Sequence, residues 1–404
     1  MRRTGLRTRR WQTAAAVAAA GVWGASFIGL APVASAQDAR SQQWYLDAMQ
    51  ADKMWEASTG EGVTVAVIDT GVGDTPALQG RVVAGKDITK LAGDARTDYD
   101  GHGTTMAELI AGSGKNGKIQ GLAPGAKILP VRVELGEAAE EWVDPQVMAK
   151  AIRAAADSDA QIINMSVAGT VYDGFTEDAV KYAVSKGKLV FAGTGNDGDG
   201  ANKTAYPAGL TEVVGVGAVD KTGEHAKFSG YGKSVDLAAP GTETPYYCDK
   251  SLSRYCSEQG TSGATALASA SAALVWAEHP DWTANQVLRV LIDTAGRSDD
   301  KKVRSEYIGW GAVRPRLNLL EGQGDPGAPG QNPLAPASDQ SAAPSEQADE
   351  PAADDEKATA TEAAGAEASD DDGNGALWTI LGVAVLALGA VGGGVYAMTR
   401  RRTT

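Results

Sequence analysis

Three short segments carry residue types that could do hydrolytic chemistry, and they occur in the order aspartate, histidine, serine. The first is Val63-Thr-Val-Ala-Val-Ile-Asp69-Thr-Gly-Val72, the second Asp100-Gly-His102-Gly-Thr-Thr-Met106. The third is Gly260-Thr-Ser262-Gly263, which runs into a series of Ala and Ser ending near Ala277. Ser262 falls at the mouth of a helical pattern, where backbone N–H groups lack intrahelical partners and the helix dipole favours negative charge. A nucleophilic serine placed there can share its own N–H with a developing oxyanion. Taken alone, such a serine reads better as a helix N-cap, and the other two segments reverse that preference. Of three histidines, His102 stands between glycines at a helix start, while His225 in a turn-like stretch and His279 in a helix-ending His-Pro-Asp are expected at the surface. An imidazole can act as general base toward a serine hydroxyl. A carboxylate such as Asp69 fixes its tautomer and stabilises the imidazolium.

The elements that must position these residues read as an α/β chain. Val63–Ile68 is an apolar, β-branched run of strand length, and an aspartate just past such a buried strand is where open α/β sheets keep functional residues. Asp100–Gly112 reads as a glycine-rich loop opening a helix. A turn followed by a strand lies within 121–133, and further strands at 161–167, 189–192 and 213–219, with helices at 145–156 and 176–186. Strands alternating with helices predict a parallel sheet covered on both faces. The Ala/Ser helix after Ser262 is small enough at every position to be a buried central helix. Thr283 and Gln286 form a capping-box pattern for a later helix. Residues 37–62 read as a short polar lead.

Together the three segments resemble those of the subtilisin-like serine proteases, over roughly Trp55 to Leu320. Gly193-Thr-Gly-Asn196-Asp-Gly resembles the family's oxyanion asparagine loop, and Gly121-Leu-Ala-Pro-Gly, Ile163-Asn-Met-Ser166 and Ala205-Tyr-Pro-Ala match recurring family segments. The resemblance implies a three-layer fold with a parallel seven-stranded sheet between helices, and peptide-bond hydrolysis without cofactor or metal. By it, Ser262 attacks, His102 takes the proton and Asp69 orients His102. Asn196, otherwise a turn residue, joins the Ser262 N–H as oxyanion donor. Ser166, Val167, Ala168 and Gly169 become an edge for the substrate backbone, and Gly193, Thr194 and Gly195 line the site with them. Three positions depart from the family pattern: Ala266 replaces a usual proline, Glu108 a usual glycine and Ala168 a common glycine. Glu108 could perturb His102 if it points inward, and Ala168 could narrow the specificity pocket.

Asp69-Thr-Gly71 also spells an aspartic-protease motif, nearly repeated at Asp293-Thr-Ala-Gly296. A dyad needs two carboxylates sharing a proton. Asp293 ends a helical pattern, and the α/β alternation contradicts an all-β fold.

The flanks speak of compartment. Arg2, Arg3, Arg7, Arg9 and Arg10 precede an apolar run that closes at Ala34-Ser35-Ala36, so residues 1–36 are expected to be a secretory signal peptide. Residues 37–320 are the expected protease domain. Residues 321–375 hold fourteen acids and one lysine with almost no large apolar residue, as a disordered acidic linker would. Such a linker has a root-mean-square reach of roughly 40 Å. Residues 376–398 form an uncharged apolar run long enough to span a bilayer, and 399–404 a basic tail that stays cytoplasmic. The net charge of -14 argues against nucleic-acid binding. In an exported chain the only two cysteines, Cys248 and Cys256, are expected to pair rather than stay free. This architecture resembles the mycosins, membrane-anchored proteases of actinobacterial type VII secretion. That implies a peptide or protein substrate, a membrane and the secretion machinery as partners. The competing reading is a non-catalytic subunit that stabilises a secretion complex through a protease fold.

Overall fold

The computed structural model describes residues 39–135, 143–297 and 303–335. Its centre is a parallel seven-stranded sheet in the order β2-β3-β1-β4-β5-β6-β7. The strands are β1 (Thr64–Asp69), β2 (Lys86–Asp87), β3 (Lys127–Arg132), β4 (Ile162–Met165), β5 (Leu189–Gly193), β6 (Val214–Val219) and β7 (Leu237–Pro240). After β1 the chain first builds outward on one side and then crosses to the other with β4. The strand order therefore reverses beside β1, and the crevice past the strand ends there is the usual ligand position in such sheets. Asp69 ends β1, and Ser166 directly follows β4.

Helices cover both faces. On one face lie α3 (His102–Ala111) and α6 (Thr261–Glu278), with α6 packed against β4, β5, β6 and β7. The Ala and Ser side chains of α6 explain that approach: every residue from Gly263 to Val275 is buried. On the other face α4 (Pro145–Ala156) packs on α5 (Gly174–Ser185). The capping box of Thr283 and Gln286 opens α7 (Ala284–Asp293), as the pattern predicts. Asp293 is the last residue of that helix, which with the α/β sheet removes the aspartic-protease reading.

Two boundaries differ from the sequence reading. The supposed polar lead contains α1 (Trp44–Ala48) and α2 (Ala51–Ala57), with Tyr45, Leu46 and Met54 buried in the core. Gln43 bonds both backbone groups of Gln120, and the Trp55 indole N–H donates to the Leu122 carbonyl at 2.8 Å. At the other end, the chain past α8 (Pro315–Glu321) runs back along α7. There Gln286 donates to the Gly327 carbonyl, Thr283 to that of Pro329 and Arg289 to that of Gln331. Composition alone gives these residues to the linker, because main-chain acceptors leave no mark on side-chain type. The signal segment, the rest of the linker and the apolar run 376–398 lie outside the described residues. Among the described residues, no helix is long and apolar enough to cross a membrane.

Asp236, just before β7, accepts from the Gly215 N–H at 2.9 Å and from Arg304 at 3.0 Å. Burial pushes its carboxyl up to about 6, against the pull of those two donors. The folded state thus holds a proton that the unfolded chain has already released. Stability from this group is greatest below about pH 4 and is lost as pH rises to about 6. Asp236→Asn should flatten the pH dependence of Tm across that window; a slope equal to the parent's would refute the assignment.

Candidate active site

Asp69 is fully buried, and its Oδ1 lies 2.7 Å from Nδ1 of His102, the first residue of α3. The same oxygen accepts from the Thr70 N–H at 2.8 Å. A second carboxylate, Asp98, fixes the approach. Its Oδ1 accepts from the Thr70 hydroxyl at 2.8 Å and the Gly101 N–H at 2.9 Å, and its Oδ2 from the N–H of Thr104 at 2.9 Å. Thr70 Oγ1 in turn accepts from the Gly103 N–H at 2.9 Å. Two otherwise unpaired N–H groups of the first turn of α3 are thus satisfied from the β1 side, which pins the helix start to the strand end. Gly103 makes the contact possible, since a Cβ there would run into the Gly71 carbonyl.

Ser262 is the second residue of α6, whose N-cap is Gly260. It therefore does not cap the helix. Its hydroxyl donates to the Ser166 carbonyl at 3.1 Å, while the Ser166 hydroxyl donates to the Ser262 carbonyl at 3.0 Å. Asn164 donates to that Ser166 hydroxyl and accepts from Ser269, so a buried polar chain fastens β4 to α6 on either side of Ser262. Asn196 Oδ1 accepts from the N–H of Thr261 at 2.8 Å and from its hydroxyl at 3.1 Å. With the oxygen so used, its NH₂ group is the free donor. Around Gly260 that nitrogen and the Ser262 N–H converge: a Cβ built there would lie 3.7 Å from Asn196 Nδ2 and 3.8 Å from Ser262 N. Two donors aimed at one small space can hold an oxyanion.

A cavity of about 400 Å³ opens beside Ser262. Ser166, Val167, Ala168 and Gly169 line one part, and Gly193, Thr194, Gly195 and Asn196 another. All the residues expected to contact substrate thus meet Ser262 in one space. Asn202, Lys203 and Ala205 also line it, and sequence reasoning did not single them out. At Gly169 both backbone groups already bond Tyr206, at 2.9 and 2.7 Å. Among the described residues, neither Val167 nor Ala168 makes a loop or bridge bond of that kind.

The other expectations fall as follows. Cys248 and Cys256 form a disulfide across the antiparallel hairpin of β8 (Thr244–Tyr247) and β9 (Tyr255–Glu258), shortly before Ser262. His225 and His279 are half-buried rather than exposed. His225 bonds the Ser229 carbonyl and meets Tyr231 and Tyr307 edge-on, and His279 stacks on Trp282. Glu108 is fully buried but faces the hairpin, not His102: its carboxylate accepts from Thr75, Tyr247 and Tyr255. Burial pushes its carboxyl up, opposed by those hydroxyls. Ala266 lies buried in α6.

Comparison with known proteins agrees with this geometry. A family model described as the subtilase family matches residues 60–311. The major intracellular serine protease of Bacillus subtilis (strain 168) is 39% identical over 204 residues, 48% of this chain and 62% of that protein. The match to it thus spans less than two thirds of its length. Thermitase of Thermoactinomyces vulgaris is 37% identical over 227 residues, 56% of this chain and 78% of its own. Among solved structures, MycP3 protease from the type VII (ESX-3) secretion system superposes with a TM-score of 0.59 at 32% identity, covering 69% of this chain and 88% of that one. With a strand-end aspartate, a helix-start histidine and a serine in the first turn of a buried helix, the chain belongs to the subtilase family and is a subtilisin-like serine protease.

Proposed function

We propose that this protease works through an Asp69–His102–Ser262 triad and an acyl-enzyme, on the outer side of a membrane, as a mycosin-like component of type VII secretion. The observation that carries the triad is the 2.7 Å contact of His102 Nδ1 with the buried Asp69 carboxylate. That bond leaves Nε2 as the base. Ser262 gives up its bond to the Ser166 carbonyl when its proton passes to His102. The attacked carbonyl oxygen becomes negative between Asn196 Nδ2 and the Ser262 N–H, and His102 then protonates the leaving amine. Water repeats the sequence to release the acyl group. The substrate is a polypeptide whose backbone lies along Val167 and Ala168.

The placement rests on the flanks of the sequence and on the likeness to MycP3. The expected amino-terminal signal, the apolar run at 376–398 and the three arginines after it support an outside position for the protease domain. Deleting residues 376–404 should release a soluble enzyme into the medium that cleaves a casein substrate, and the same deletion carrying Ser262→Ala should be released but inert. Retention of the truncated chain in the membrane fraction would refute the anchor, and casein cleavage by the serine variant would refute the triad.

A further inference from the structure

Glu108 is a buried titratable side chain that the proposed mechanism leaves unused. Glu108 sits in α3, six residues beyond His102, with Thr75 Oγ1 at 2.6 Å, Tyr247 OH at 3.0 Å and Tyr255 OH at 2.6 Å from its carboxylate oxygens. The two phenols are 2.7 Å from each other, and their residues are directly opposite in the β8–β9 hairpin. Lys118 closes the outside of the cluster, with its ammonium 5.0 Å from one ring centre and 5.1 Å from the other. It also donates to the Leu252 carbonyl at the hairpin tip.

A two-stranded hairpin is marginal by itself and takes its position from what holds it. This one pairs with no strand of the main sheet. The disulfide joins its two arms to each other; what fastens it to α3 and its surroundings includes packing of β8 on α3, the Tyr247 N–H bonded to Thr105 Oγ1 at 3.1 Å, the Lys118 bond to the Leu252 carbonyl, and the hydroxyl cluster on Glu108. Neighbouring residues in a strand point to opposite faces. Tyr247 turns into the Glu108 cluster, and Tyr246 turns to His102, meeting its ring edge-on with centroids 5.8 Å apart. Glu108 and His102 ride on one helix, so a hairpin clamped at Glu108 carries Tyr246 in fixed register against the imidazole.

We infer that Glu108 is a positioning residue for catalysis: by clamping Tyr247 and Tyr255 it holds Tyr246 against His102 and so sets the orientation of the general base. The inference rests on the triad proposed above. Glutamine at 108 keeps the clamp, since its oxygen can accept from Thr75 and Tyr247 while its amide donates to Tyr255. Leucine keeps the bulk and loses the clamp.

The test uses the full chain and diisopropyl fluorophosphate, whose labelling rate reports on the activated serine, together with kcat and KM on a peptide ester. Glu108→Gln should label within about threefold of the parent. Glu108→Leu should lose at least about tenfold in labelling rate and in kcat with KM nearly unchanged, the cost expected for misplacing a catalytic group. In a Tyr246→Leu background the Glu108→Leu change should cost nothing further, because the coupled contact is already gone. If Glu108→Leu does not accumulate, Tyr255→Phe, which removes one clamp hydroxyl, serves in its place with the same direction of effect. A parental labelling rate in Glu108→Leu, a loss confined to KM, or an equal loss with and without Tyr246 overturns the inference. A parent chain that takes no label overturns the triad, and this inference with it.

Discussion

Ser262→Ala and His102→Ala should each lower kcat by about 10⁶, and the double variant should be no slower than either alone. That magnitude is the one known for a subtilisin triad, carried over to a relative. The expected non-additivity follows from the geometry of this chain. His102 is held at 2.7 Å from Asp69 by a network that ends in Thr70 and Asp98. Removing the serine leaves a base with nothing to deprotonate, and removing the histidine leaves a hydroxyl bonded only to a carbonyl. Single-turnover hydrolysis of a p-nitroanilide peptide reads both losses. Multiplying losses would mean that the two side chains act independently. KM should change little, because the substrate edge at Val167 and Ala168 is untouched.

The second large effect is expected at Asn196. Its Oδ1 is engaged by Thr261, and its Nδ2 lies beside the Ser262 N–H around Gly260. Asn196→Ala should lower kcat by about 10²–10³ with KM nearly unchanged, since the oxyanion exists in the transition state and not in the bound substrate. The range comes from the equivalent residue of subtilisin. Asn196→Asp should be at least as damaging, because it keeps the acceptor for Thr261 and puts an acceptor where the donor was. A Gly260→Ala change should also slow the reaction, as its Cβ would lie within 4 Å of both donors. Activity that survives Asn196→Ala unreduced would place the oxyanion elsewhere.

The three residues proposed as the triad stood out in the sequence because each sits in a segment with its own physical signature. Asp69 ends an unbroken β-branched run, His102 stands between glycines, and Ser262 precedes a helix of small residues. The strands were legible where they are long and apolar, as at β1 and β6. β7, only Leu237-Ala-Ala-Pro240, is too short and too poor in β-branched residues to announce itself. The β8–β9 hairpin was not found, since its tip is closed by a nine-residue disulfide loop rather than a tight turn. Asp98 is a bonding hub that its exposed-looking neighbours Thr97 and Tyr99 concealed. Glu108 was noticed only as a departure, because its partners lie 139 and 147 residues downstream. The lead helices carry a short signal beneath a polar average: Tyr45 and Met49 stand four residues apart, and Ala51 and Met54 three apart.

The most direct measurement is the site of covalent labelling. Intact protein treated with diisopropyl fluorophosphate at neutral pH, digested and analysed by mass spectrometry, should carry a single phosphoryl adduct on Ser262, and His102→Ala should carry essentially none. An adduct on another residue, or one on Ser262 that forms at the parental rate without His102, would contradict the triad.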